Sequence, residues 1–161
     1  MSIWWSLHLR REAASVPLAR RLLMGTMETA GVDPDVSYEL SVALTEACAN
    51  AVEHGGGGGE DSGAAGRAYR VTAYLDGETC RIEVADSGPG FPGPDAAAQE
   101  PGLLGTELPL AAADAEHGRG LRLIEELADH VQFGNRSGRG GAVVSFDKIL
   151  KWKDSPSLLM A

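Results

Sequence analysis

The chain has 161 residues, 43% of them hydrophobic, and sets 14 Lys and Arg against 23 Asp and Glu for a formal charge of −9. This composition suits one compact domain, is too apolar for disorder, and contains no run near the ~20 consecutive apolar residues of a membrane span. Its acidity argues against broad binding of nucleic acid, whose phosphates are held by clustered Lys and Arg, and with no signal-peptide pattern at the N-terminus a cytoplasmic protein is expected.

Residues 3 to 9 alternate, with Ile3, Trp5, Leu7 and Leu9 on one side and Trp4, Ser6 and His8 on the other, which predicts a half-buried strand. A helix is expected over 12–30 from the spacing of Val16, Ala19, Leu22, Leu23, Met27 and Ala30, with Gly31 as its C-terminal cap. Asp33-Pro34 reads as an N-cap followed by proline at the first helical position. It opens a second helix to about His54, where Gly55 to Gly59 stop it. Arg67–Leu75 and Thr79–Ala85 alternate on either side of Asp76-Gly77, a hairpin turn. From Ser87 to His117 the chain is rich in Gly, Pro and Ala, and its acidic residues have no Lys or Arg among them. So long a loop predicts a lid, placed at about 92–117. A third helix is expected from Gly118 to Val131, then a closing hairpin of Gln132–Asn135 and Ala142–Ile149, and a fraying tail over 151–161. Cys48 and Cys80 stand far apart and read as small buried hydrophobes. The order β-α-α-β-β-lid-α-β-β predicts an α+β sandwich over 1–150 with a mixed sheet and helices on one face.

Three motifs carry chemistry. On the second helix the apolar stripe Val36, Leu40, Ala43, Ala47, Ala51, flanked by Leu44, also takes in Asn50 and His54. A buried amide left unpaired costs roughly 1–3 kcal/mol, so Asn50 needs a partner. Glu46, Asn50 and His54 project together at i, i+4 and i+8 and offer hard oxygens to Mg²⁺. An ordinary amphipathic helix with a drifting polar border is the plain alternative.

The second motif, Asp86-Ser87-Gly88-Pro89-Gly90-Phe91, follows a strand. A carboxylate there can accept a hydrogen bond from an exocyclic amine such as N6 of adenine, and glycines let a flat ring approach the backbone. Gly88, Gly90 and Gly93 also spell the dinucleotide fingerprint, but Pro92 and Pro94 interrupt the helix it needs and the preceding strands form a hairpin. The third motif, His117-Gly118-Arg119-Gly120-Leu121, stands where the lid meets a helix, whose N-terminal amides suit phosphate. The three lysines, Lys148, Lys151 and Lys153, all lie at the C-terminal end. That excludes a P-loop and an early-strand kinase lysine, and leaves phosphate to a metal ion, amides and Arg119.

In this order the motifs resemble the N box, first glycine box and second glycine box of the GHKL ATPase superfamily, over roughly residues 2–150. The segments ELSVALTEACANAVEHG, VADSGPGF and HGRGLRLIEELAD are most similar to the small RsbW and SpoIIAB type of bacterial anti-sigma factor serine kinase. At this length the extra domains of larger relatives are not expected. The resemblance implies the two-layer Bergerat fold, its sheet mostly antiparallel, with a mobile ATP lid. It implies binding of ATP or ADP with Mg²⁺, Asn50 as the metal ligand bridging to the phosphates, and Glu46 as the residue activating the attacking hydroxyl. Asp86 would read adenine, with Gly88 and Gly90 admitting the base. Gly118, Arg119, Gly120 and Leu121 would lie at the phosphates, and His54 near phosphate or ribose. Ser145 is the loose match to the threonine of a third glycine box. The implied partners are a STAS-type antagonist phosphorylated on serine, a sigma factor, and a second copy in a homodimer built near the first strand and helix. A module that binds nucleotide and partner without phosphoryl transfer is the other reading.

Overall fold

The computed structural model describes residues 2–54, 68–86, 115–135 and 141–153, with backbone alone over 115–119. Its elements in chain order are β1 (Ile3–Arg10), α1 (Ser15–Ala30), α2 (Pro34–His54), β2 (Ala68–Leu75), β3 (Thr79–Asp86), α3 (Ala115–Leu127), β4 (His130–Asn135) and β5 (Ala142–Ile149). One five-stranded sheet in the order β1-β2-β3-β5-β4 carries α1, α2 and α3 on a single face, giving the two-layer α+β sandwich expected. Every pairing is antiparallel, so the sheet is not mixed among the described residues. The helix pair between β1 and β2 returns the chain to the end where β1 finished, so β2 runs back, and β5 inserts between β3 and β4, which run in the same direction.

Period-two alternation places Leu9, Val71, Ile82, Val144 and Phe146 on the covered face, where they pack with Leu23 and Met27 of α1, Leu40, Leu44 and Ala47 of α2, and Leu121 and Ile124 of α3. On the open face Trp4 is 64% exposed. Trp5 points inward, and its indole N–H donates to Thr26 Oγ1 at 3.1 Å.

Local chemistry fixes the ends of the elements. The Asp33 carboxylate accepts the amides of Asp35 and Val36, at 2.8 and 3.4 Å, and caps α2 with Pro34 in its first position. Asp33→Ala is therefore expected to lower unfolding free energy by about 1 kcal/mol, read as a shifted urea midpoint at unchanged slope. Gly31 ends α1 at φ +89°, a left-handed conformation suited to glycine. Asp76 Oδ1 closes the β2–β3 turn by accepting the amides of Glu78 and Thr79.

Strand ends shift by one or two residues, and the helix ends and the tail differ more from the sequence expectation. The first helix begins at Ser15 instead of residue 12, because residues 12–14 form a turn in which the Ser15 amide and hydroxyl both bond Glu12 O. The third helix begins at Ala115, three residues before Gly118, and ends at Leu127 instead of Val131. Past Leu127 the Asp129 amide turns to Asp147 O and its carboxylate takes the Ile149 amide at 2.6 Å. This pulls His130 and Val131 into β4, where the His130 ring bonds Asp147 Oδ1 at 2.8 Å. Nor does the chain fray at 151: Trp152 pairs with Val32, Lys151 O accepts the Asp33 amide, and the Lys153 amide bonds Gly31 O. The end of the expected lid, 115–117, belongs to α3, while its residues 92–114, the glycine run after His54 and the tail beyond Lys153 lie outside the described residues. Among those described, no helix is long and apolar enough to cross a membrane.

Candidate functional site

Strand register defines one end of the sheet, where β1 and β3 finish and β2 and β5 begin: Tyr69 faces Asp86 there, and Arg10 faces Ala68. Asp86 closes the inward-facing row Cys80, Ile82, Val84 on β3. It is 5% exposed, and its Oδ1 accepts the Ala142 amide at 3.1 Å. That carboxylate therefore joins β3 to the start of β5, just after Gly141 at φ +112°. Ser145 does not share this end. It pairs with Glu83 and Gln132 on the face away from the helices, so it cannot stand in for a site threonine.

Helix α2 delivers its C-terminal half to the same end. The Arg11 guanidinium donates to Val52 O at 2.6 Å, a cation on the last turn where the helix dipole favours one. On the neighbouring side of the helix Cys48 bonds the Tyr69 hydroxyl, which is also 2.6 Å from Ser15 Oγ. Burial pushes the Cys48 thiol up to about 12, and burial likewise raises Tyr69. Both stay protonated at neutral pH, so this trio is a structural tie between α1, α2 and β2 and not a source of nucleophiles.

Glu46 and Asn50 are half-buried on the side of α2 that meets α3, and His54 lies at the exposed end beside Glu53, 3.5 Å away. The helices approach closely at Glu46, where a Cβ on residue 120 would stand 3.0 Å from Glu46 Oε1. Glycine at 120 leaves this carboxylate undisturbed, and the approach brings the first and third sequence motifs together. Lys148 ties Glu39 of α2 to Leu127 O of α3, at 3.1 and 2.8 Å. With residue 46 beside 120 and 39 beside 127, the helices run antiparallel. Asn50, one turn beyond Glu46, is therefore level with the first turn of α3, where amide groups have no intrahelical partner.

The earlier start of α3 corrects the expected phosphate contacts. Gly118, Arg119, Gly120 and Leu121 lie inside the helix, their amides past the free first turn, and Leu121 packs into the core at 2% exposure. What glycine supplies at 120 is closeness to Glu46. Gly88 and Gly90 lie outside the described residues, as does the side chain of Arg119. Sequence reasoning missed Arg11, Ala142 and Lys148, whose contacts span 41, 56 and 21 residues and leave no local pattern. Gly120 was singled out in the sequence, but as a phosphate contact and not for its closeness to Glu46.

The family model of the histidine kinase-like ATPase domain matches residues 9–148. The chain belongs to that family. Among solved structures, this histidine kinase-like ATPase domain is similar to the RsbU and RsbW domains of Rv1364c from Mycobacterium tuberculosis. The TM-score is 0.59 and the identity 18%, over 92% of this chain but 34% of that one. It is also similar to the SiaB–SiaC complex from Pseudomonas aeruginosa, with a TM-score of 0.57 and 12% identity over 90% of this chain and 88% of that one. At these identities the likeness is one of fold. No curated protein matches the chain.

Proposed function

We propose that this ATPase domain binds ATP and ADP at the sheet end defined by Asp86, Asn50 and the start of α3, and acts as a protein serine kinase. The observation that carries this reading is the contact of Glu46 with Gly120, which sets a carboxylate beside the helix whose free amides suit phosphate. The residues present fit a magnesium nucleotide: Asn50 offers a hard oxygen at the level of the α3 start, and Glu46 sets a carboxylate beside the same helix. When bound, ATP supplies the transferable phosphoryl group and Mg²⁺ neutralises its charge.

The chain's own residues do the rest. Asn50 holds the metal, the α3 amides hold phosphate oxygens, and Asp86 accepts a hydrogen bond from the adenine amine. Gly88 and Gly90 admit the base, the Arg119 side chain adds positive charge near the phosphates, and His54 stands at the rim. Glu46 takes the proton of the incoming serine hydroxyl. Phosphoryl transfer asks little covalent chemistry of the protein, so placement and charge dominate.

The fold it shares with a structure containing an RsbW domain, together with the motif text, supports a cytosolic partner switch. In that switch the domain phosphorylates a STAS-type antagonist and holds a sigma factor. Exposed Trp4 on the edge strand β1, and exposed Leu18 and Leu22 on α1, support a homodimer built on that side. Incubation with labelled ATP, Mg²⁺ and a STAS-type antagonist tests the kinase reading. Label on an antagonist serine supports it; bound nucleotide with no transfer points to a non-catalytic binder instead.

A further inference from the structure

We propose that Lys148 is a positioning residue, setting the register of α2 against α3 and thereby the affinity of the site for the phosphate end of its nucleotide. This inference rests on the nucleotide reading above. Lys148 continues the inward-facing row of β5 after Val144 and Phe146, opposite buried Cys80. Its side chain, 15% exposed, reaches from the sheet to the two helices that cover it. There one ammonium group serves both helices, pairing with Glu39 Oε1 at 3.1 Å and donating to Leu127 O at 2.8 Å.

From this double contact, seven residues along α2 lead to Glu46, and seven residues back along α3 lead to Gly120. Both spans are about 10 Å at the rise of an α-helix, so the clamp and the site are the two ends of one antiparallel pair. Slippage by a single residue at the Lys148 end would move the α3 start by about 1.5 Å relative to Asn50, and displacements of that size cost roughly 100-fold at reacting groups. The adenine end is independent of this lever, since Asp86 is fixed to Ala142 on the sheet. Lysine, excluded as a direct phosphate ligand by its place in the chain, thus acts on phosphate through helix position.

The experiment is calorimetric titration of the full chain with Mg·ADP and, separately, with adenosine, which has no phosphate. Lys148→Met is expected to weaken Mg·ADP by about tenfold and adenosine by no more than about twofold, with Lys148→Arg recovering to within about threefold of wild type. Equal loss for both ligands, or no loss, would overturn the positioning role while leaving the site reading intact. A wild-type chain that binds neither ligand would overturn both. If Lys148→Met does not fold, Glu39→Gln, at the more exposed side of the pair, must show the same selective loss at about threefold, and its absence would overturn the inference.

Discussion

Asp86→Asn is expected to fold with near wild-type stability and to lose nucleotide binding, whereas Asp86→Ala loses both. In the native chain Asp86 Oδ1 accepts the Ala142 amide at 3.1 Å in a buried setting. Alanine leaves that amide without its acceptor, at about 1–3 kcal/mol. For a domain of this size that is a fall in melting temperature of ~2–4 °C for each kcal/mol. Asparagine keeps one carbonyl oxygen for Ala142 but replaces the second oxygen with an NH₂ group. Whichever way the amide is turned, a donor then meets either the Ala142 amide or the adenine amine. The melting curve and a Mg·ADP titration of the two variants separate the roles. An asparagine variant with unchanged affinity would show that adenine is not read at this strand end.

The second large effect is expected at Glu46. Glu46→Gln should bind Mg·ADP within a few-fold of wild type and lose serine phosphorylation by about 10²–10⁴-fold, the range associated with removing a general base. Gly120→Ala perturbs the same carboxylate from across the helix interface. Its Cβ would stand 3.0 Å from Oε1, closer than ordinary packing, so the carboxylate must shift by a few tenths of an ångström. An intermediate loss of transfer, on the order of 10-fold, follows from the steep cost of misplacement. Single-turnover transfer from labelled ATP to a STAS-type antagonist reads both variants. Full transfer by Glu46→Gln would remove Glu46 from the chemistry.

The fold was readable wherever a local rule decided it. Alternation announced β1, β2 and β3, Asp33-Pro34 announced the start of α2, and Gly31 announced the end of α1. The stripe from Val36 to Ala51 is buried as its spacing required. Boundaries set by contacts distant in sequence were not readable. Ser15 begins α1 because it bonds both Glu12 and Tyr69, and α3 ends where Asp129 finds Asp147 and Ile149 across the sheet. The site divides along the same line. Glu46, Asn50 and Asp86 stood out because polar groups on apolar stripes or strand ends need partners. Gly120 was legible as a glycine, but its purpose, closeness to Glu46, emerges only once two helices lie antiparallel. Ser145 shows the limit of motif matching, since alternation alone puts it on the opposite face from Val144 and Phe146.

Binding of a magnesium nucleotide at this sheet end is the central proposal, and a thermal-unfolding comparison of the full chain with and without Mg·ADP tests it most directly. At 100 times its dissociation constant the nucleotide should stabilise the native chain by ~2.7 kcal/mol, a rise of roughly 5–10 °C, and Asn50→Ala should remove the Mg²⁺-dependent part of that rise. A native chain whose melting temperature is the same with and without Mg·ADP would show that this sheet end does not hold a magnesium nucleotide.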